Sequence, residues 1–289
     1  MLNWVNQFNI FCFLDNHQYN FSPHKYECLI GAGVSDFIST NRIEDIDVFL
    51  SHSKEIVFGH LNYDVKNLIY NLKQAKSNEI DFPLYYFFRP KIVLMLKGDE
   101  LTIIANDPNE IFNAIMQSHS EEVYSNSYLQ IQQKLTRQKY IQIIKKLQEH
   151  IVRGDCYEIN FCQEFFSENV SIDPLSVYKG LTQLSPNPFS AFYRLNDKYL
   201  LCASPERFIQ KINNVLLSQP MKGTIKRDLL NNENDKLLEQ KLKNSTKDRS
   251  ENVMVVDLVR NDLSRVCSVA SVHVDELFEV YSFPQVHQM

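Results

Sequence analysis

The chain has 289 residues, is 44% hydrophobic and 22% charged, and carries a formal net charge of −5. That is the profile of a globular protein of one large or two ordinary domains, and its dispersed lysines and arginines exclude a basic stripe for nucleic acid. Apolar runs such as "KIVLMLKG" and "ENVMVVDLV" stop well short of the roughly 20 residues that cross a bilayer, and the six cysteines form no C-x-x-C pair, against both a disulfide framework and a structural zinc site.

The start, "MLNWVNQFNIFCFLDNHQ", has neither a basic leader region nor an A-x-A-like cleavage site, so a cytoplasmic protein without a membrane segment is expected. "GAGVSD" (31 to 36) supplies two glycines of a dinucleotide fingerprint, too few to point to a nucleotide. "EIVFGHLNYDV", "LYYFFRPKIVLMLKG" and "ELTIIA" read as strands rich in aromatic and β-branched residues. "NDPNEIFNAIMQ" reads as a helix with Asp107 as cap, Pro108 in the first turn and Glu110 completing a capping box. The polar stretch 117–136 then divides an N-terminal subdomain, 1–120, from a second region, 121–289.

In "TRQKYIQIIKKLQEHIVRGD", Tyr140, Ile143, Ile144, Leu147 and Ile151 recur at helical spacing, with Thr136 as cap and Gly154 as stop. "CYEINFCQEFF" switches to period two, which predicts a strand with Tyr157, Ile159, Phe161 and Phe165 in the core and Glu158, Asn160, Cys162 and Glu164 toward a cleft. "FSAFYRL", "KYLLCAS", "RFIQKI" and "VLLSQ", separated by turn formers, predict an antiparallel meander. Two helices follow, over "ENDKLLEQKLKN" and "STKDRSENVMVVDLVRNDLSRV", and "SVHVDELFEVYS" reads as a last strand. Meanders mixed with helices, without regular βαβ alternation, predict an α+β fold.

Three polar groupings are candidates for chemistry. Glu206 sits at a turn in "SPERF", Lys222 sits in "PMKGT", and Asp248 and Glu251 lie three apart on one helix face. Two carboxylates so placed suit a hard cation such as magnesium, and equally a solvated helix edge; spacing leaves both readings open.

Taken together and in order, "GDCYEINFCQEF", "SPERF", "PMKGTIKR" and "KDRSENVMVVDLVRNDLSRV" resemble the chorismate-utilising enzymes. The resemblance begins at "FGHLNYDVKN" and runs to "FPQVHQM", nearly the whole chain. It implies two packed β-sheets flanked by helices. Anthranilate synthases of this family generally have alanine where Lys222 stands, and isochorismate and salicylate synthases place a lysine at the position of Glu158. A lysine at 222 with a carboxylate at 158 therefore points to amination at C4 of chorismate, with ammonia delivered by a glutamine amidotransferase partner. Anthranilate formation is the alternative, as is an inactive chain that only binds the amidotransferase.

The resemblance further implies Lys222 as nucleophile and Glu206 as the acid that protonates the departing hydroxyl. It implies Glu251 as a magnesium ligand, Asp248 acting on that magnesium through water, and Gly223, Thr224 and Asn160 as substrate contacts. The amine must be neutral to attack and the acid protonated to donate, which calls for a partly desolvated pocket. The glycine-rich segment and further glutamates of the family's metal site have no counterpart in these 289 residues, so the resemblance implies a chain truncated at its C-terminus and inactive by itself, with the activity expected of the full-length protein. Gln288 stands where many relatives have histidine.

Overall fold

The computed structural model describes residues 1–19, 24–73, 79–119 and 129–289. Part of the polar stretch expected to join two halves, residues 120–128, lies outside them. In chain order the elements are α1 (Leu2–Val5), β1 (Ile10–Asp15), β2 (Cys28–Ala32), β3 (Asp36–Thr40), α2 (Ile43–Ser51), β4 (Phe58–Leu61), α3 (Val65–Ile69), β5 (Tyr85–Arg89), β6 (Ile92–Lys97), β7 (Glu100–Ile104) and α4 (Pro108–Gln117). Then come β8 (Gln132–Gln133), α5 (Arg137–Arg153), β9 (Phe165–Phe166), α6 (Pro174–Leu184), β10 (Phe189–Leu195), β11 (Lys198–Ser204), β12 (Arg207–Ile212), β13 (Val215–Gln219) and β14 (Thr224–Lys226). The chain closes with α7 (Asn232–Lys243), α8 (Thr246–Ser264), β15 (Tyr281–Ser282) and β16 (Val286–Gln288).

The architecture is α+β, with antiparallel pairing throughout the described strands. Met1–Ser120 and Tyr178–Met289 form one compact unit, and Glu121–Val177 a second. Residues 121–289 accordingly do not make one region: β10 pairs along the whole of β1, from Ile10↔Leu195 to Asp15↔Ser190, and so joins the N-terminal strands.

In the larger unit a six-stranded sheet, ordered β11-β10-β1-β2-β6-β7, packs against a three-stranded sheet, β3-β5-β4. Period-two alternation sends Cys12, Val93, Tyr193 and Leu195 of the first sheet toward Phe58, Tyr86 and Phe88 of the second. The approach is close enough to require a glycine. A Cβ on Gly31 would stand 2.5 Å from the Phe58 ring, so the first glycine of "GAG" serves sheet packing inside β2. His60 of β4 spans the two sheets: its Nδ1 lies 3.1 Å from the Tyr193 hydroxyl and its Nε2 3.0 Å from the Pro83 carbonyl oxygen. The opposite face of the large sheet buries Phe11, Phe13 and Phe192 under Tyr178 of α6, whose ring stacks 5.1 Å from Phe192.

The meander is present strand by strand, but it divides. β10 and β11 belong to the large sheet, whereas β12 and β13 form a separate pair, the break falling at Pro205 and Glu206. α4 forms without the expected cap bond from Asp107, whose backbone (φ −123°, ψ 72°) lies outside the extended geometry from which an N-cap side chain reaches the first-turn N–H groups. The strand expected over "SVHVDELFEVYS" is reduced to Tyr281–Ser282. Positive φ at Phe278 breaks the extended path.

In the smaller unit, α5 has the predicted ends. Thr136 Oγ1 accepts from the Lys139 N–H, and Gly154 takes the left-handed φ of +83°. The predicted strand over residues 157–164 is absent. Only Phe165–Phe166 pairs, with Gln132–Gln133, and Tyr157, expected in the core, is 90% exposed. Alternation of apolar residues makes a strand only where a neighbouring strand takes up the backbone N–H and C=O groups.

Candidate active site

The turn between β11 and β12 holds Glu206. Ser204 Oγ accepts from the Glu206 N–H at 3.2 Å and donates to its carbonyl at 3.1 Å, which closes a tight polar turn. The Glu206 side chain reaches across to the segment after β13, where Oε1 accepts from the Met221 N–H at 3.2 Å. The "SPERF" and "PMKGT" motifs therefore meet, with the Glu206 carboxylate bound to the residue that precedes Lys222.

Lys222 is half-buried, and its backbone is fixed from the far side by the end of the chain. Its N–H donates to the Met289 carbonyl at 2.7 Å, and the Met289 N–H donates to the Gly223 carbonyl at 3.0 Å. Gly223 has φ +102°, and a Cβ there would stand 3.1 Å from Cβ of Asp248. Only glycine accepts that conformation without strain while α8 approaches so closely. Thr224 opens β14 opposite Gln288, whose Nε2 donates to Thr224 Oγ1 at 3.3 Å. Gln288 Oε1 is buried without a hydrogen-bond partner.

Asp248 and Glu251 lie in the first two turns of α8. Ser245 caps the helix: its Oγ accepts from the Asp248 N–H at 3.3 Å and donates to the Asp248 carboxylate. That leaves Asp248 partly committed. Glu251 is half-buried and pairs with Lys247 at 3.6 Å. Among the described residues no group of three or more His, Cys, Asp or Glu is arranged to hold a metal ion. Two carboxylates with waters and a substrate oxygen are enough for magnesium; a cage made by protein alone is not present.

Six of the predicted site residues, Glu206, Lys222, Gly223, Thr224, Asp248 and Glu251, thus fall on the larger unit, between the β11–β12 turn and α8. The seventh, Asn160, is exposed on the smaller unit. One requirement of the chemistry is not met here: Glu206 is exposed, so the described residues do not desolvate it. A cavity of about 1140 Å³ opens behind the motifs. Its wall carries their neighbours Pro205, Arg207, Met221 and Asn252, not the candidate residues themselves.

The chorismate binding enzyme model matches residues 19–289. The chain belongs to the chorismate binding enzyme family. Among relatives, aminodeoxychorismate synthase component 1 of Klebsiella aerogenes is 43% identical over 155 residues, 54% of this chain and 34% of that protein. The protein of the same name from Bacillus subtilis (strain 168) is 28% identical over 79% of this chain and 52% of its own length. The chain thus spans from about a third to a half of the length of these two relatives. Anthranilate synthase component I from Streptococcus pneumoniae TIGR4 has the same fold, with a TM-score of 0.73 at 19% identity over 93% of this chain and 69% of that one.

A buried network beside these motifs was not visible in the sequence. Asp235 of α7 accepts from Arg227 Nη2 at 2.7 Å, from the Asp228 N–H at 2.9 Å and from His287 Nε2 at 3.0 Å. The Arg227 guanidinium, helped by the Asp228 N–H and His287, holds the Asp235 carboxyl down at about 2 against the opposing effect of burial. His287 Nδ1 lies 2.8 Å from Ser282 Oγ. The connectivity is that of a Ser–His–Asp relay, but a ring only 1% exposed leaves no room for an acyl substrate, so the arrangement is structural. Nothing in the sequence announced it, because its members are spread over 60 residues and follow no short spacing.

Proposed function

We propose that this chain supplies the nucleophile and the acid of an aminodeoxychorismate synthase component 1, an enzyme that replaces the C4 hydroxyl of chorismate by an amino group derived from ammonia. The product, 4-amino-4-deoxychorismate, leads to para-aminobenzoate and folate. The observation that supports the reading is the Glu206 carboxylate bound to the Met221 N–H, one residue before Lys222 in the chain, which joins the two motifs through backbone. The 43% identity to the Klebsiella aerogenes protein over half of the chain supports the same choice. A carboxylate at 158 in place of a water-activating lysine disfavours hydration.

In this mechanism the neutral Lys222 amine forms an N–C bond to the ring while the allylic C–O bond breaks, and Glu206 gives its proton to the departing oxygen, which leaves as water. Ammonia then forms the N–C bond at C4, the electron pair shifts back through the ring, and Lys222 is released. Chorismate and ammonia become aminodeoxychorismate and water. Glu251 would hold magnesium, with Asp248 acting through water because Ser245 already occupies its carboxylate. Magnesium bound there would neutralise the ring carboxylate. Gly223 would let the backbone approach the ring, and Thr224 would supply a polar contact. The reading also includes a glutamine amidotransferase subunit as ammonia donor and a cytoplasmic location.

Product analysis of the full-length protein with chorismate, magnesium and ammonia tests the proposal. Aminodeoxychorismate is expected; anthranilate would assign the chain to the anthranilate branch, and no product would make it a binding partner only.

A further inference from the structure

The buried carboxylate of Asp235 ties together the two strands that hold Lys222. Arg227, the residue after β14, binds it through Nε and Nη2, and His287 at the centre of β16 binds its other oxygen. The same two residues are locked to each other's strand by backbone. The Arg227 N–H donates to the Gln285 carbonyl at 3.0 Å, Arg227 Nη1 donates to the Phe283 carbonyl at 3.2 Å, and Ile225 pairs with His287 in the ladder. One residue beyond β16, Met289 brackets the backbone of Lys222 and Gly223. α7, which carries Asp235, is followed after Asn244 and the cap Ser245 by α8, whose Asp248 lies against Gly223. The lysine segment is thus referenced to the helix pair at two points, one polar and buried, one a glycine contact.

We infer that Asp235, with Arg227 and His287, is a positioning unit for Lys222: it sets the β14–β16 register and thereby the placement of the lysine relative to the carboxylates of α8. A buried carboxylate with four donors has one low-energy arrangement, because each donor removed leaves a charge or a ring nitrogen unpaired in a site closed to water. Catalytic steps that depend on near-attack geometry lose about 100-fold for a displacement of about 1 Å, so a register device of this kind acts on rate more than on binding. The kinetic part of the inference rests on the proposed role of Lys222; the structural part does not.

The test uses Asp235→Asn, which keeps shape and removes the charge, and His287→Gln as a second variant should the first fail to fold, both in the full-length protein. Hydrogen exchange is expected to accelerate about 10-fold or more at the Lys222 and Met289 amides, while the β5 and β6 amides of the sheet core keep their wild-type protection. Amination should slow about 10-fold or more, with the KM for chorismate changed less than about 3-fold. In a Lys222→Ala background the same substitution should have no further effect on the residual rate. Unchanged exchange at Lys222 and Met289 would overturn the inference, as would an equal loss of rate with and without Lys222. If the wild-type protein consumes no chorismate, the proposed function falls, and the exchange measurement alone decides the positioning role.

Discussion

The two parts of the larger unit are held by different forces. In the β-sandwich, Phe11, Ile30, Phe88 and Phe192 are fully buried, with Phe11 packed ring against ring on Phe192 and Phe88 on Phe58, so removal of apolar surface from water dominates. In the stretch from β12 to α8, by contrast, Phe208 is 87% exposed and the buried residues of α8 reduce to Asn252. Apart from the buried Leu242 of α7, what orders that stretch is polar: the Ser245 and Asn231 caps, the Glu206 bond to Met221 and the Asp235 network. The sandwich serves as the scaffold and the candidate chemistry sits on a region whose geometry depends on a few directional bonds.

Substitutions should separate the two. Lys222→Ala in the full-length protein is expected to slow amination by about 10² or more, the scale of losing a positioned catalytic group, with no loss of stability beyond a few tenths of a kcal/mol. Steady-state kinetics beside thermal unfolding checks it. Phe88→Ala is expected to do the reverse: a loss of about 3–5 kcal/mol in chemical denaturation, with the rate per folded molecule retained. Equal effects of both substitutions on rate per folded molecule would erase the distinction between scaffold and site.

Acid should distinguish the regions next. Burial lowers the His60 pKa, against the raising effect of its bond to Pro83. A base whose folded pKa lies below its unfolded value of 6.5 contributes stability that is whole above 6.5 and lost as pH falls from there through the lowered value. Asp235 is a depressed carboxyl, so its contribution is whole above 3.8 and lost only as pH falls through about 2. Exchange protection of amides between the two sheets should therefore weaken between pH 7 and 5, while the Lys222 and Met289 amides keep theirs. His60→Gln should flatten the first change. The smallest effect is expected from Thr136→Ala in the other unit, about 1 kcal/mol from loss of the α5 cap, read by exchange in the first turn of that helix.

Sequence patterning revealed what depends on local chemistry. The caps of α5, the meander strands and the helix bearing Asp248 and Glu251 follow from spacing, turn residues and propensity. It failed where a partner decides. Residues 157–164 alternate well enough for a strand but gain no ladder, and "SVHVDELFEVYS" bends at Phe278. Three site motifs were legible through resemblance to the chorismate-utilising enzymes, and the Glu206 to Met221 bond brings two of them together. Asp235, Arg227 and His287 were not legible, because a buried polar network joins residues far apart in sequence and leaves no periodic trace.

Intact-mass and peptide analysis of the full-length protein incubated with chorismate and magnesium, without ammonia, tests most directly whether Lys222 is the nucleophile. The account predicts an adduct equal to chorismate less one water, carried on Lys222, formed more slowly in Glu206→Gln and discharged as aminodeoxychorismate when ammonia is added. Turnover by a protein that never forms the adduct, or an adduct on a different lysine, would contradict it.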